Sequence, residues 1–191
     1  QRAVHAETRP VPGETTALRV EFPDYTKSSN GLSFVDTEAW FDARDRYALT
    51  VVDPDGTPLG PIVPGDTEAE FTSTRGIVRG WNTEDQGFGT FLVEIEDNPN
   101  SARRATGTWT LRVEPLTTVE STEMDWWVVN WRTDSGTMPR FLDAVDAEET
   151  VISPATAPEV IAVGAISTRS CWTDAKGGEQ CYEAQPRVGD V

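Results

Sequence analysis

Lysine is almost missing from this chain. Lys27 and Lys176 are its two lysines, and every other cationic side chain is an arginine. Against 16 basic residues stand 32 acidic ones, for a net charge of −16 at pH 7. Nucleic acid and anionic membrane surfaces are bound through cationic surface, so neither is expected as a partner. Histidine is scarcer still, with His5 alone, and the two cysteines lie far from it. Two thiols and one distant imidazole do not make a zinc site. No run approaches the ~20 apolar residues that span a bilayer, which argues against membrane insertion. No signal peptide is recognisable, and Gln1 stands where an initiator methionine would, which suggests a cut-out or processed piece. No stretch with a helical period and useful length occurs before about residue 140.

An acidic, lysine-poor composition has two readings. One is salt adaptation, in which dissolved ions screen the repulsion among carboxylates. The other is an ordinary acidic secreted protein. The size is that of one ordinary domain plus a tail, and apolar residues make up 37% of the chain, low but globular.

What the chain has in quantity is short alternating segments separated by polar turns. Thr16–Phe22 places Leu18, Val20 and Phe22 on one face, and Pro23-Asp24 ends it. Thr37–Phe41, Tyr47–Val52, Phe71–Arg79, Phe88–Glu96, Gly107–Glu114 and Met124–Trp131 follow the same pattern. Between them lie Ser28-Ser29-Asn30-Gly31, Asp53-Pro54-Asp55-Gly56 and Asn98-Pro99-Asn100-Ser101, all turn chemistry. Such a series predicts an all-β, antiparallel β-sandwich of jelly-roll type. Trp109, Leu111 and Val113 fall on one face of their strand, which makes Trp109 a structural anchor in the core. Trp126 and Trp127 are adjacent, so at least one of them points outward; Trp40 and Trp81 are expected in the core or at an edge.

Thr150–Ile166 reads differently. Val160-Ile161-Ala162-Val163 is apolar at every position, is preceded by Pro154 and Pro158 and is closed by Gly164-Ala165. That pattern fits a strand buried on both faces, as in a parallel sheet covered by helices. The segment resembles the stretch that follows the oxyanion-hole asparagine in subtilisin-like serine proteases (subtilases). Val4-His5-Ala6 with Val11-Pro12-Gly13 resembles the start of a β-sandwich inserted after that asparagine in some larger subtilases. Gly107-Thr108-Trp109-Thr110-Leu111-Arg112-Val113 is similar to the G-x-W-x-L-x-V strand of subtilase-associated sandwiches, including the P domain of proprotein convertases.

The resemblance implies three parts: residues 1–132 a jelly-roll insert, 133–149 a linker, and 150–191 a C-terminal segment belonging to an α/β subtilisin-like catalytic domain. The partners implied are the parent catalytic domain and the peptide or protein substrate of that parent. The location implied is secreted or at a prokaryotic cell surface. A doubly apolar strand without its own sheet also makes a homo-oligomer of the fragment an expectation. The alternative is an independent carbohydrate- or surface-binding sandwich, in which some of the seven tryptophans stack on sugar rings.

A subtilase needs an Asp in D-[ST]-G, a His in H-G-T-H and a Ser in G-T-S-x-[AP], the His taking the Ser proton while the Asp holds its tautomer. Neither the His motif nor the Ser motif is in the chain, so no catalytic residue is assigned and the chain alone should be inactive. His5 is either a lone general base or an ordinary surface histidine near a terminus. The match places Ile152 on the floor of the S1 pocket, where a β-branched side chain would disfavour large substrate residues; otherwise Ile152 is core. Pro154 matches a proline that the family often holds in cis, and trans is the alternative outside the parent domain. Cys171 and Cys181 flank a Gly177-Gly178 turn and either bridge or remain two free thiols. No cofactor is expected. Calcium is the metal for which the chain has oxygens, at Asp53, Asp55 and the acidic 143–149 stretch, although turns recruit aspartate without a metal.

Overall fold

The computed structural model describes residues 4–25, 33–117, 123–133 and 137–146, with the backbone of two short strands farther on. The chain divides into two units, Gln1–Thr150 and Val151–Val191. In the first, eleven strands form two antiparallel sheets. They are β1 (His5–Thr8), β2 (Thr16–Phe22), β3 (Phe34–Asp42), β4 (Arg46–Val52), β5 (Pro58–Ile62), β6 (Ala69–Thr72), β7 (Ile77–Asp85), β8 (Phe88–Glu96), β9 (Gly107–Thr117), β10 (Met124–Arg132) and β11 (Arg140–Phe141). Sheet A has the order β1-β10-β3-β8-β7-β6 and sheet B the order β11-β2-β9-β4-β5. No helix occurs among the described residues. The architecture is a β-sandwich, as the alternating segments predict.

Two nested long-range pairs set the topology, β2 with β9 and β3 with β8. These are the outer pairs of a jelly roll. Farther in, the roll gives way to local hairpins, β4–β5 and β7–β8. The β7–β8 turn carries Gln86 (φ 50°) and Gly87 (φ 88°), both left-handed, as the tightest hairpin turns require. One edge is defended by its prolines: β5 closes sheet B with Pro58 and Pro61, which cannot donate to an incoming strand.

The period of two sorts the side chains. Leu18, Val20 and Phe22 of β2 meet Trp109, Leu111 and Val113 of β9 within one buried layer. Sheet A contributes Val35, Ala39, Phe91, Val93, Ile95 and Trp126. Trp109 is fully buried, and its Nε1 donates to the Ala105 carbonyl at 2.6 Å. Beside it, Asp97 is fully buried and accepts from the Ala105 amide at 3.1 Å and from the Tyr25 hydroxyl. Burial, and then Asp97, pushes the Tyr25 hydroxyl well above the ordinary tyrosine range, so it stays a donor.

Two expectations change. Phe71–Arg79 is not one strand, because Ser73–Gly76 turns the chain between β6 and β7. The Ser73 amide bonds the Gly76 carbonyl at 2.9 Å, and Ser73 Oγ accepts from the Arg75 and Gly76 amides. Gly76 is required there: a Cβ would sit 2.6 Å from the Glu96 carbonyl oxygen and 3.2 Å from the Trp109 ring. Second, the described part of 133–149, expected as a linker, contributes to the sandwich. Arg140 and Phe141 pair with Glu21 and Val20 of β2, and Phe141 is core. Arg19 clamps Asp143 with Nε at 2.8 Å and Nη2 at 2.7 Å, which holds that carboxyl below its ordinary range.

In the second unit, β12 (Cys171–Thr173) pairs antiparallel with β13 (Glu179–Cys181), with Cys171 directly opposite Cys181. The Val160–Ala165 run, Ile152 and Pro154 lie outside the described residues.

Candidate interaction surface

The outward side chains of sheet A form rows that follow from the strand registers. One row runs His5, Trp127, Glu38, Leu92, Trp81 across β1, β10, β3, β8 and β7. A second runs Asn130, Asp36, Glu94, Arg79, Glu70. Trp40 lies beyond the first row, between Asp125 and Thr90. The cause is the pleat: Val35, Thr37, Ala39 and Phe41 face the core, so Asp36, Glu38 and Trp40 face out.

Trp126 and Trp127 therefore part company, Trp126 fully buried and stacked on Phe91 (ring centroids 6.1 Å), Trp127 on the outer face. Trp40, expected in the core or at an edge, is 42% exposed on a central strand and lies 5.9 Å from the ring of Phe88, itself 54% exposed. Trp81 is half-buried on the outer face, because Gly80 and Asn82 take the inward positions of β7. His5 is not a surface histidine: it is 1% exposed, with its ring 5.0 Å from Trp127 and Nε2 3.4 Å from Asp125 Oδ1. Covered in this way, it is out of reach of a substrate as a general base.

One cation serves the second row. Arg79 contacts Glu70 at 2.9 Å, Glu94 at 2.7 Å and Glu96 at 2.7 Å, and these carboxylates raise its already high pKa. Asp36, on the far side of Glu94, has no cationic partner among the described residues. Its Oδ2 accepts from Asn130 Nδ2 at 3.2 Å, and its Oδ1 is buried without a partner. Burial, and then Glu94, pushes its carboxyl up to about 6.

Some of the oxygens considered for calcium are engaged within the protein, while Asp53 Oδ2 has no hydrogen-bond partner among the described residues and residues 147–149 lie outside them. Asp53 Oδ1 accepts from the amides of Asp55 (2.9 Å) and Thr57 (2.8 Å), Asp55 pairs with Arg103, and Asp143 with Arg19. No cluster of three or more ligating side chains occurs among the described residues.

The first and last described segments of the sandwich are neighbours. Ala6 and Val145 form an antiparallel bridge, the Asp146 amide donates to the His5 carbonyl at 3.2 Å, and the Glu7 amide donates to the Ala144 carbonyl at 3.1 Å. The sequence offered no sign of this closure, because neither H-A-E-T nor D-A-V-D reads as a strand.

No family model matches the chain, and no curated protein does. Among solved structures, that of the Clostridium perfringens CspB protease is similar, with a TM-score of 0.61 and 22% identity over 83% of this chain and 31% of that one. At that identity the likeness is one of fold. This chain spans about a third of the protease's length.

Proposed function

We propose that this chain is a non-catalytic region of a subtilisin-like serine endopeptidase: a β-sandwich inserted in the parent, followed by part of its catalytic domain. The parent would act outside a prokaryotic cell, and the sandwich would stabilise it or frame one side of its substrate cleft. The observation that carries this reading is the closure of residues 5–7 on 144–146. A domain whose incoming and outgoing strands are hydrogen-bonded neighbours interrupts a host chain with little strain, since the host's two ends stay close together. The fold likeness to part of a protease supports it. So does the subtilase-like Thr150–Ile166 segment.

Activity-based labelling tests the proposal. A fluorophosphonate probe should label the full-length gene product on a serine and leave this chain unlabelled. Labelling of this chain by itself, or of neither, would contradict the proposal. A second reading, an independent carbohydrate-binding module, draws on the exposed Trp40 ring beside Phe88. It gives no reason for the closure of the sandwich's ends.

A further inference from the structure

Charge on the outer face of sheet A is out of balance at its centre. Arg79 is engaged on three carboxylates, and His5 faces Asp125. Glu38, half-buried in the middle of β3, has no hydrogen-bond or ion-pair partner among the described residues. Its direct cross-strand neighbours are Trp127 and Leu92, and its neighbours along the strand on the same face are Asp36 and Trp40. Side chains directly opposite each other are about 5 Å apart at Cβ. The carboxylate is thus framed by two indoles, an aliphatic chain and a second carboxylate.

A carboxylate partly desolvated among rings gains from a cation that water cannot replace. An indole face attracts a cation within about 6 Å of its centroid. We propose that this face docks a basic peptide segment, one arginine or lysine side chain of which sits on Glu38 between Trp40 and Trp127. Arginine suits the place better, because its planar guanidinium stacks on an indole while donating to a carboxylate. Charge complementarity decides against a neutral sugar, which would stack on the rings and leave the Glu38 carboxylate uncompensated. The inference does not depend on the insert reading.

The test titrates the whole chain, at low salt, with a short labelled peptide alternating arginine and glycine. A glutamate–glycine peptide and a soluble neutral oligosaccharide serve as comparators. The arginine peptide alone should bind, and more weakly as salt rises. Glu38→Gln should lower its affinity about tenfold, the loss of one charge-assisted contact. Trp40→Ala, at an exposed site, should lower it as well. Glu114→Gln, exposed on the outer face of sheet B, makes the same change in net charge and should leave affinity unaltered. Equal loss in the Glu38→Gln and Glu114→Gln variants would mean that the peptide is held by overall charge, and the proposal fails. It fails too if the oligosaccharide binds in the peptide's place, or if nothing binds.

Discussion

Trp109 and Trp40 have the same side chain and opposite surroundings. Trp109 is fully buried, its ring against Gly76 and its Nε1 on a carbonyl; Trp40 stands in solvent beside Phe88. Truncating the first removes its burial and leaves a cavity, so Trp109→Ala should cost about 3–5 kcal/mol in urea unfolding. Trp40→Ala should change stability by no more than about 0.5 kcal/mol. Asp36 gives a pH signature. Its carboxyl is raised in the folded state to about 6 from 3.8, so the fold favours the protonated form. That contribution is fully present below the unfolded value and is lost as pH rises through about 6. Asp36→Asn should therefore stabilise the protein at pH 8, by about 1 kcal/mol once solvent screening of a half-buried group is allowed for, and bring no gain at pH 4. A thermal melt at both pH values checks this; a variant less stable at pH 8 than at pH 4, relative to the parent, would contradict the assignment. Which tryptophan points outward was not legible from the sequence. For Trp40 two signals conflict, the alternation of Val35 to Phe41 turning it outward and tryptophan's usual place in a core turning it inward, and the pleat prevails.

At the scale of elements, legibility followed the pleat. Thr16–Phe22 and Phe88–Glu96 are strands with the bounds that alternation predicts, because each is unbroken and ends at turn residues. The strands that alternation does not reveal are the short or proline-bearing ones. Arg140–Phe141 is held by β2 rather than by its own pattern, and Pro58-Leu59-Gly60-Pro61-Ile62 reads as a turn. The split of β6 from β7 depends on Ser73 capping two amides, a local bond that competes with the ladder. The β12–β13 hairpin carries its own prediction. Cys171 and Cys181 are register partners in an antiparallel pair, and such partners have Cα separations of about 4.5–5.5 Å, within disulfide range. A lone two-stranded hairpin is marginal in water, and a bridge closing so short a loop adds roughly 2–3 kcal/mol. A thiol reagent should find no free thiol in the unreduced protein and two after reduction; two free thiols without reductant would show that the bridge does not form.

For the whole molecule, the decisive feature is that the sandwich shuts on itself. The segment 140–146 runs from the edge of sheet B, at β11, to the edge of sheet A, at β1, and seals that side with Phe141 inside. A unit closed in this way should fold alone: a chain ending at Thr150 should melt in one transition at the midpoint of the full chain's main transition. A truncated chain that fails to unfold cooperatively would show that residues beyond 150 complete the core. The sandwich class was legible from the spacing of strands and turns, while the closure was not, since it rests on two short polar segments far apart in sequence. The proposal that this sandwich interrupts a serine protease is tested by sequencing the coding region on both sides of it. The expected result is the oxyanion-hole asparagine in an A-G-N-x-G motif shortly before Gln1 and the serine in G-T-S-x-[AP] after Val191; a reading frame that lacks both motifs would rule the insert reading out.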